Sequence, residues 1–356
     1  MTALGILWFA LIAVLIAGYF ILDGFDLGAG ILSPFIAKNE NEKAVVRRAI
    51  GPTWDGNEVW LLTAGGALFA AFAPAYATTF SGFYLAIMLV LFGLIVRAVS
   101  LEYRSHDPKW GKIWDALFFT GSLLPALLFG VAIGNVYAGI PLDANGDYAG
   151  VPLLGLITPF TLLCGLLGLS VFVTQGATWI ALKAEKPSDL QARAAKLRCP
   201  LACITMALFV AVSAYALMGI APTLDPALGT LRSVACAGVV ATLMALFLAS
   251  RETDNDLLPF LASSASTLLL VLLFAASMFP TLVVATTGTS ITIANAASSD
   301  LALAWMTGIT CIGLPLVLVY HVLVYRTFRG RISADENTNL CGGEFPEWDS
   351  RRFRFR

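Results

Sequence analysis

Charge is what this sequence has least of. Of its 356 residues only 13% are charged and 58% are apolar, with a mean hydropathy of +0.81, whereas a soluble domain is about one-quarter charged. A soluble globular protein is excluded. Residues 59–96, 148–182 and 257–299 contain no Asp, Glu, Lys or Arg, and about 20 apolar residues suffice to cross the hydrocarbon core. The chain reads as a polytopic membrane protein. A net charge of −1, with no basic patch interleaved with aromatics, gives no sign of a nucleic-acid partner. Partners are expected inside the bilayer, lipid among them.

Histidine is nearly missing: His106 and His321 are the only two. A membrane cytochrome with several haems needs axial ligands placed in its helices, and His106 lies in a charged loop. No haem is expected to be ligated by this chain, and His321 reads better as a satisfied or interfacial histidine than as a ligand. Five of the six cysteines, Cys164, Cys199, Cys203, Cys236 and Cys311, fall inside apolar stretches, where a small soft hydrophobe packs well. Neither a disulfide framework nor a metal site is expected. There is no P-loop and no H-E-x-x-H zinc motif. The first residues lack the basic segment of a secretory signal, so Met1–Ala17 reads as part of a retained first span.

What is present is apolar helix. Hydropathy and helix punctuation predict nine spans, at 4–24, 53–74, 78–101, 113–138, 152–182, 197–220, 231–250, 257–280 and 301–326. The fold class is thus an all-α integral membrane protein, with a membrane domain over 1–331 and a solvated tail over 332–356. Alternate connections hold every Lys and Arg except Arg232. The positive-inside rule then places the N-terminus outside and the C-terminus in the cytoplasm. The opposite connections, at 75–77, 139–151, 221–230 and 281–300, are too short for a soluble domain. A faint echo links Phe20–Gly28, FILDGFDLG, with Phe172–Trp179, FVTQGATW. It suggests two four-helix bundles plus one extra helix.

Ionisable groups inside a bilayer are costly, and each is a functional candidate. Asp55 and Glu58, at spacing i, i+3 in the second span, share one helix face. Counted from Arg48 they lie roughly 10 and 15 Å inward, as the first steps of a proton wire or as markers of the helix end near its dipole. Asp23 and Asp26 pose the same question near Gly24 and Gly28. Arg97 and Glu102 fit snorkelling or a structural ion pair equally well. The opposite half of the membrane holds almost no ionisable residue. A stand-alone proton-coupled transporter, which usually shows midplane charges or paired broken helices, is disfavoured.

The run Trp54-Asp55-Gly56-Asn57-Glu58-Val59-Trp60-Leu61-Leu62-Thr63-Ala64-Gly65-Gly66-Ala67-Leu68-Phe69-Ala70-Ala71 is unusual. Together with Asp23-Gly24-Phe25-Asp26-Leu27-Gly28, Phe80-Ser81-Gly82-Phe83-Tyr84, Thr174-Gln175-Gly176-Ala177-Thr178 and Met278-Phe279-Pro280, it closely resembles subunit II of cytochrome bd-type quinol oxidases, from the first span to the ninth. The resemblance implies a haem-free subunit of a terminal respiratory enzyme in the bacterial cytoplasmic membrane. That enzyme oxidises quinol, reduces dioxygen to water and generates proton motive force. It implies a partner, subunit I, that carries two b haems, one d haem and the quinol-oxidising loop. Some relatives also hold a structural quinone in this subunit, and small single-span accessory subunits are further candidate partners. Asp55 matches the family's proton-entry aspartate, and Asp23 and Asp26 its acidic pair. Glu58 stands where some members carry glutamine. The alternative is a purely structural subunit that stabilises subunit I.

Overall fold

The computed structural model describes residues 1–144, 146–220, 228–251 and 255–333. Its helices are α1 (Ala3–Leu22), α2 (Gly24–Ile36), α3 (Glu40–Ile50), α4 (Trp54–Ala71), α5 (Ala73–Gly82), α6 (Tyr84–His106), α7 (Gly111–Ala138), α8 (Pro159–Lys183), α9 (Asp189–Tyr215), α10 (Gly229–Ala249), α11 (Leu257–Met278), α12 (Ile293–Ala296) and α13 (Asp300–Thr327). Polar side chains set several starts by accepting a backbone N–H, as Thr2, Asn39, Thr158, Ser188 and Ser299 do.

Eight helical runs among the described residues are long and apolar enough to cross a membrane, α1 and α2 counting together as Ala3–Ile36. They coincide with eight of the nine predicted spans. The remaining one, 53–74, is the 18-residue α4, whose polar first turns, Trp54-Asp55-Gly56-Asn57-Glu58, dilute its hydropathy. The connection expected at 75–77 is helical instead. The chain breaks at Phe72 and restarts as α5 with Pro74 in its first turn, a position that needs no N–H. The expected connection at 221–230 and the tail at 332–356 lie mostly outside the described residues.

At one end of the helices short strands form a cap that hydropathy does not foresee. β1 (Ile140–Pro141) pairs in parallel with β3 (Ala285–Thr287), and β2 (Thr281–Val283) pairs antiparallel with β4 (Ile291–Thr292). The other end is basic. There Asp115 accepts from Lys43 at 2.9 Å, Arg104 at 3.0 Å and Arg47 at 3.1 Å, and Arg193 reaches Glu42 at 2.6 Å. Buried Asp256, just before α11, takes Arg198 on Oδ1 at 2.8 Å, Arg331 on Oδ2 at 2.7 Å, and Gln191 on both oxygens at 3.3 Å.

The two echoing segments pack against each other where α2 crosses α8. A Cβ on Gly28 would lie 1.9 Å from the Phe172 carbonyl oxygen, and one on Gly176 would lie 2.2 Å from the Gly28 carbonyl carbon. Only glycine permits this approach. Aromatic rings lock the crossing on either side, Phe20 on Phe172 at 5.4 Å and Phe25 stacked on Trp179 at 4.3 Å.

Candidate functional site

Asp23 sits at the joint between α1 and α2. Its N–H still donates to the Tyr19 carbonyl (2.8 Å) and its carbonyl accepts from Leu27 (2.9 Å), so the run is interrupted without being severed. The joint turns Asp23 and Asp26 inward, where both are fully buried. Arg97 of α6, also fully buried, donates from Nη2 to Asp23 Oδ1 at 2.6 Å and to Glu58 Oε1 at 2.5 Å. Of the two readings open for Arg97, the structure has the ion pair. Glu102 is exposed.

Asn57 of α4, on the turn that carries Asp55 and Glu58, donates from Nδ2 to Asp26 Oδ2 at 2.8 Å and to the Leu22 carbonyl at 3.0 Å. Tyr325 of α13 donates to Asn57 Oδ1 at 2.9 Å. One guanidinium thus binds two carboxyl groups, Asp23 and Glu58, and Asn57 holds the third, Asp26, in a cluster built by α1, α2, α4, α6 and α13. The cluster is polar beyond its own pairing. Asp26 Oδ1, Arg97 Nε and Nη1, and both amide atoms of Gln175 are buried with no partner among the described residues. A Cβ on Gly24 would lie 2.4 Å from Gln175 Oε1, so that amide reaches the joint itself.

Asp55 is placed differently from its neighbours. It lies in the first turn of α4, exposed, and makes no hydrogen bond or ion pair among the described residues. Glu58, one turn further on, has 23% of its side chain exposed. α13 buries only Leu303 and His321, leaving Leu301, Trp305, Ile309, Ile312, Leu316 and Val319 exposed. Gly65 and Gly66 of α4 and Gly308 and Gly313 of α13 have open space where a Cβ would go.

Both ring nitrogens of His321 are engaged. Trp60 Nε1 donates to its Nε2 at 3.1 Å and its Nδ1 bonds the Val317 carbonyl at 2.9 Å. With Nε2 accepting, the proton resides on Nδ1, and both nitrogens of a neutral imidazole are used. Among the described residues no group of three or more His, Cys, Asp or Glu is arranged to hold a metal ion, and the five described cysteines are free.

Bundled apolar helices of membrane-crossing length around a buried acid–arginine cluster define a polytopic integral membrane protein. Its relatives make the assignment specific. Residues 4–328 match the family described as cytochrome bd terminal oxidase subunit II, and the chain belongs to that family. It is 32% identical to "Cytochrome bd-I ubiquinol oxidase subunit 2" of Escherichia coli (strain K12), covering 93% of this chain and 95% of that protein. It is 36% identical to "Cytochrome bd ubiquinol oxidase subunit 2" of Bacillus subtilis (strain 168), over 94% and 99%. Its fold is similar to a chain of the bd oxidase from Geobacillus thermodenitrificans, with a TM-score of 0.72 over 92% of this chain and 99% of that one, at 16% identity. The protein is therefore a subunit of a terminal quinol oxidase, a multi-pass protein of the bacterial inner membrane whose family implies a subunit I partner and haems held there.

The sequence missed Asn57 and Tyr325 as members of the site. Asn57 had a signal, a third polar residue within W-D-G-N-E at the head of an apolar helix. Tyr325 had none, since its partner lies 268 residues away.

Proposed function

We propose that this subunit supplies part of a cytoplasmic proton-entry route to subunit I, with Asp55 as its exposed station and Glu58, Asp23 and Asp26 behind it. The exposure of Asp55 carries the reading. A carboxylate on a membrane-embedded wall is costly against lipid but suited to a seam between two chains. One turn inward, about 4.5 Å along the helix, Glu58 connects it to Arg97 and Asp23. The unpartnered polar atoms around Asp26, Arg97 and Gln175 support a hydrated path, because buried polar groups are matched by protein or by ordered water.

The same reading takes α4 as the ninth crossing, in an arrangement of two four-helix bundles plus one, with the N-terminus outside and the C-terminus cytoplasmic. Residues 1–331 form the membrane domain, followed by a cytoplasmic tail at 332–356. Quinol is oxidised on subunit I, with a structural quinone and small single-span accessory subunits as candidate additions to the assembly. Nothing in this chain then performs the redox step. Its residues hold and pass protons, and the haems that the partner would hold would supply the redox chemistry.

The purified oxidase carrying Asp55→Asn tests it. Turnover with quinol and dioxygen is expected to fall about a hundredfold or more, the scale of one lost proton-transfer group, while the haem spectrum and assembly are kept. Full turnover in that variant would overturn the route. Loss of haem or of assembly would favour a purely structural subunit.

A further inference from the structure

The turn between α6 and α7 holds a second polar feature, away from the buried cluster. A single 3-10 turn, Pro108–Trp110, joins the two membrane-length helices. A cavity of about 690 Å³ opens beside it, lined by Arg104, Lys109, Trp110, Lys112, Ile113 and Glu40 among others. Three lining residues are cations and one is an acid. Glu40 accepts from Arg104 and from Lys43, the latter at 3.0 Å, and Arg104 is also bonded to Asp115, so the two lysines are the lining cations left over. Lys109 and Lys112 are exposed and make no hydrogen bond or ion pair among the described residues. Gly111 keeps the floor open for Arg104, since a Cβ there would lie 2.7 Å from the guanidinium carbon. α7 begins at this floor with no side-chain cap and no acid in its first turn, so nothing in its opening turn opposes an anion.

The rim is apolar. Trp110 is 56% exposed and Ile113 is 46% exposed. Tryptophan and lysine together, at the ends of membrane-crossing helices, are the composition of the boundary between headgroups and acyl chains. A free phosphate in solution would gain nothing from exposed Trp110 and Ile113, whereas a phospholipid gains from both halves of the site.

We propose that this cavity binds the phosphate headgroup of an anionic phospholipid. Lys109 and Lys112 hold the phosphate, Arg104 lines the floor, and Trp110 and Ile113 take the glycerol and the first acyl carbons. The site is independent of the proton route, and its test reads lipid and not turnover.

The test is native mass spectrometry of the delipidated oxidase titrated with dioleoyl-phosphatidylglycerol or dioleoyl-phosphatidylcholine. Wild type is expected to retain phosphatidylglycerol preferentially. The double variant Lys109→Gln, Lys112→Gln is expected to bind it about tenfold or more weakly, as the removal of two charges at an anionic surface predicts, with phosphatidylcholine unaffected. Lys109→Arg, Lys112→Arg keeps the charge and should keep the binding. Both lysines are unpartnered, so thermal melting should be unchanged in both variants. Equal retention of phosphatidylglycerol by wild type and the Gln variant would overturn the site. Displacement of the lipid by glycerol 3-phosphate at matching concentration would overturn the lipid assignment, since the cavity would then take a soluble phosphate.

Discussion

The buried cluster around Arg97 and the network around Asp256 have the same ingredients, acids, arginines and a side-chain amide away from water, but opposite degrees of satisfaction. Both oxygens of Asp256 are matched, each by an arginine and by Gln191, and on the arginine side only Arg198 Nε is fully buried without a partner among the described residues. Around Arg97 the acids outnumber the base, and one oxygen each of Asp23 and Asp26, two Arg97 nitrogens and the Gln175 amide are unmatched among the described residues. A saturated network has one arrangement and fixes structure, whereas an unsaturated one leaves room for a mobile proton or water. The first ties α9, α11 and the segment after α13 together. The second lies about nine residues before the end of α6, hence ~14 Å deep along that helix, where saturation would have been expected of a merely structural device.

The largest test of that contrast is Arg97→Leu. It strands Asp23 and Glu58 without their cation, and breaking a buried pair by removing one partner costs about 3–5 kcal/mol. The assembled oxidase should melt far lower or fail to accumulate, read by thermal melting and by yield of the complex. If Arg97→Leu melts like wild type, the cluster is not an ion pair in the functional protein and the contrast with Asp256 collapses.

Asp256→Asn should come next, at ~3 kcal/mol for an interior charge removed from two arginines. Burial of Asp256 opposes ionisation, but hydrogen bonds from Arg331 and Arg198 outweigh it and hold the carboxyl below its ordinary range. A depressed carboxyl pKa contributes stability that is present above the unfolded value of about 3.9. That contribution is lost as pH falls through the folded value. Wild type and Asp256→Asn should therefore differ in melting temperature at neutral pH and converge in acid. Turnover of the surviving variant should be close to wild type, unlike that of Asp55→Asn, and this difference in readout separates a latch from a route.

How much of this was legible follows from which signals are local. Apolar runs at helical length are local, so eight spans were readable, and α4 too, although its polar head keeps it below the others in hydropathy. The halt between α4 and α5 was not read: the expected span ran on to residue 74, because where the helix stops at Phe72 depends on packing and not on a local signal. The strand cap was not readable: its pairs join residue 140 to 285 and 283 to 291, and two- and three-residue strands carry no period. In the site, the acids stood out because charge is rare in this chain. Which of them faces inward was not readable, since Asp55 and Glu58 are neighbours on one face and yet only Glu58 meets Arg97. Arg97 looked ambiguous because snorkelling and pairing share one sequence signature, and the acids that decide between them come from other helices.

The smallest test probes the edge of the unsaturated cluster. Tyr325→Phe removes the hydroxyl that donates to Asn57 Oδ1 at 2.9 Å and leaves the ring stacking of Tyr325 on His321, at 6.3 Å between centroids, intact. Loss of one such hydrogen bond costs about 1 kcal/mol, so melting should drop slightly. Asn57 would keep its bonds to Asp26 and the Leu22 carbonyl, so turnover should fall less than in Asp55→Asn. The comparison sharpens on the ratio of the two effects. A turnover loss in Tyr325→Phe as large as that in Asp55→Asn would mean that protons run through Asn57 to Asp26, along α13. A small loss keeps the route on Glu58 and Arg97, and leaves Asn57 and Tyr325 to position Asp26.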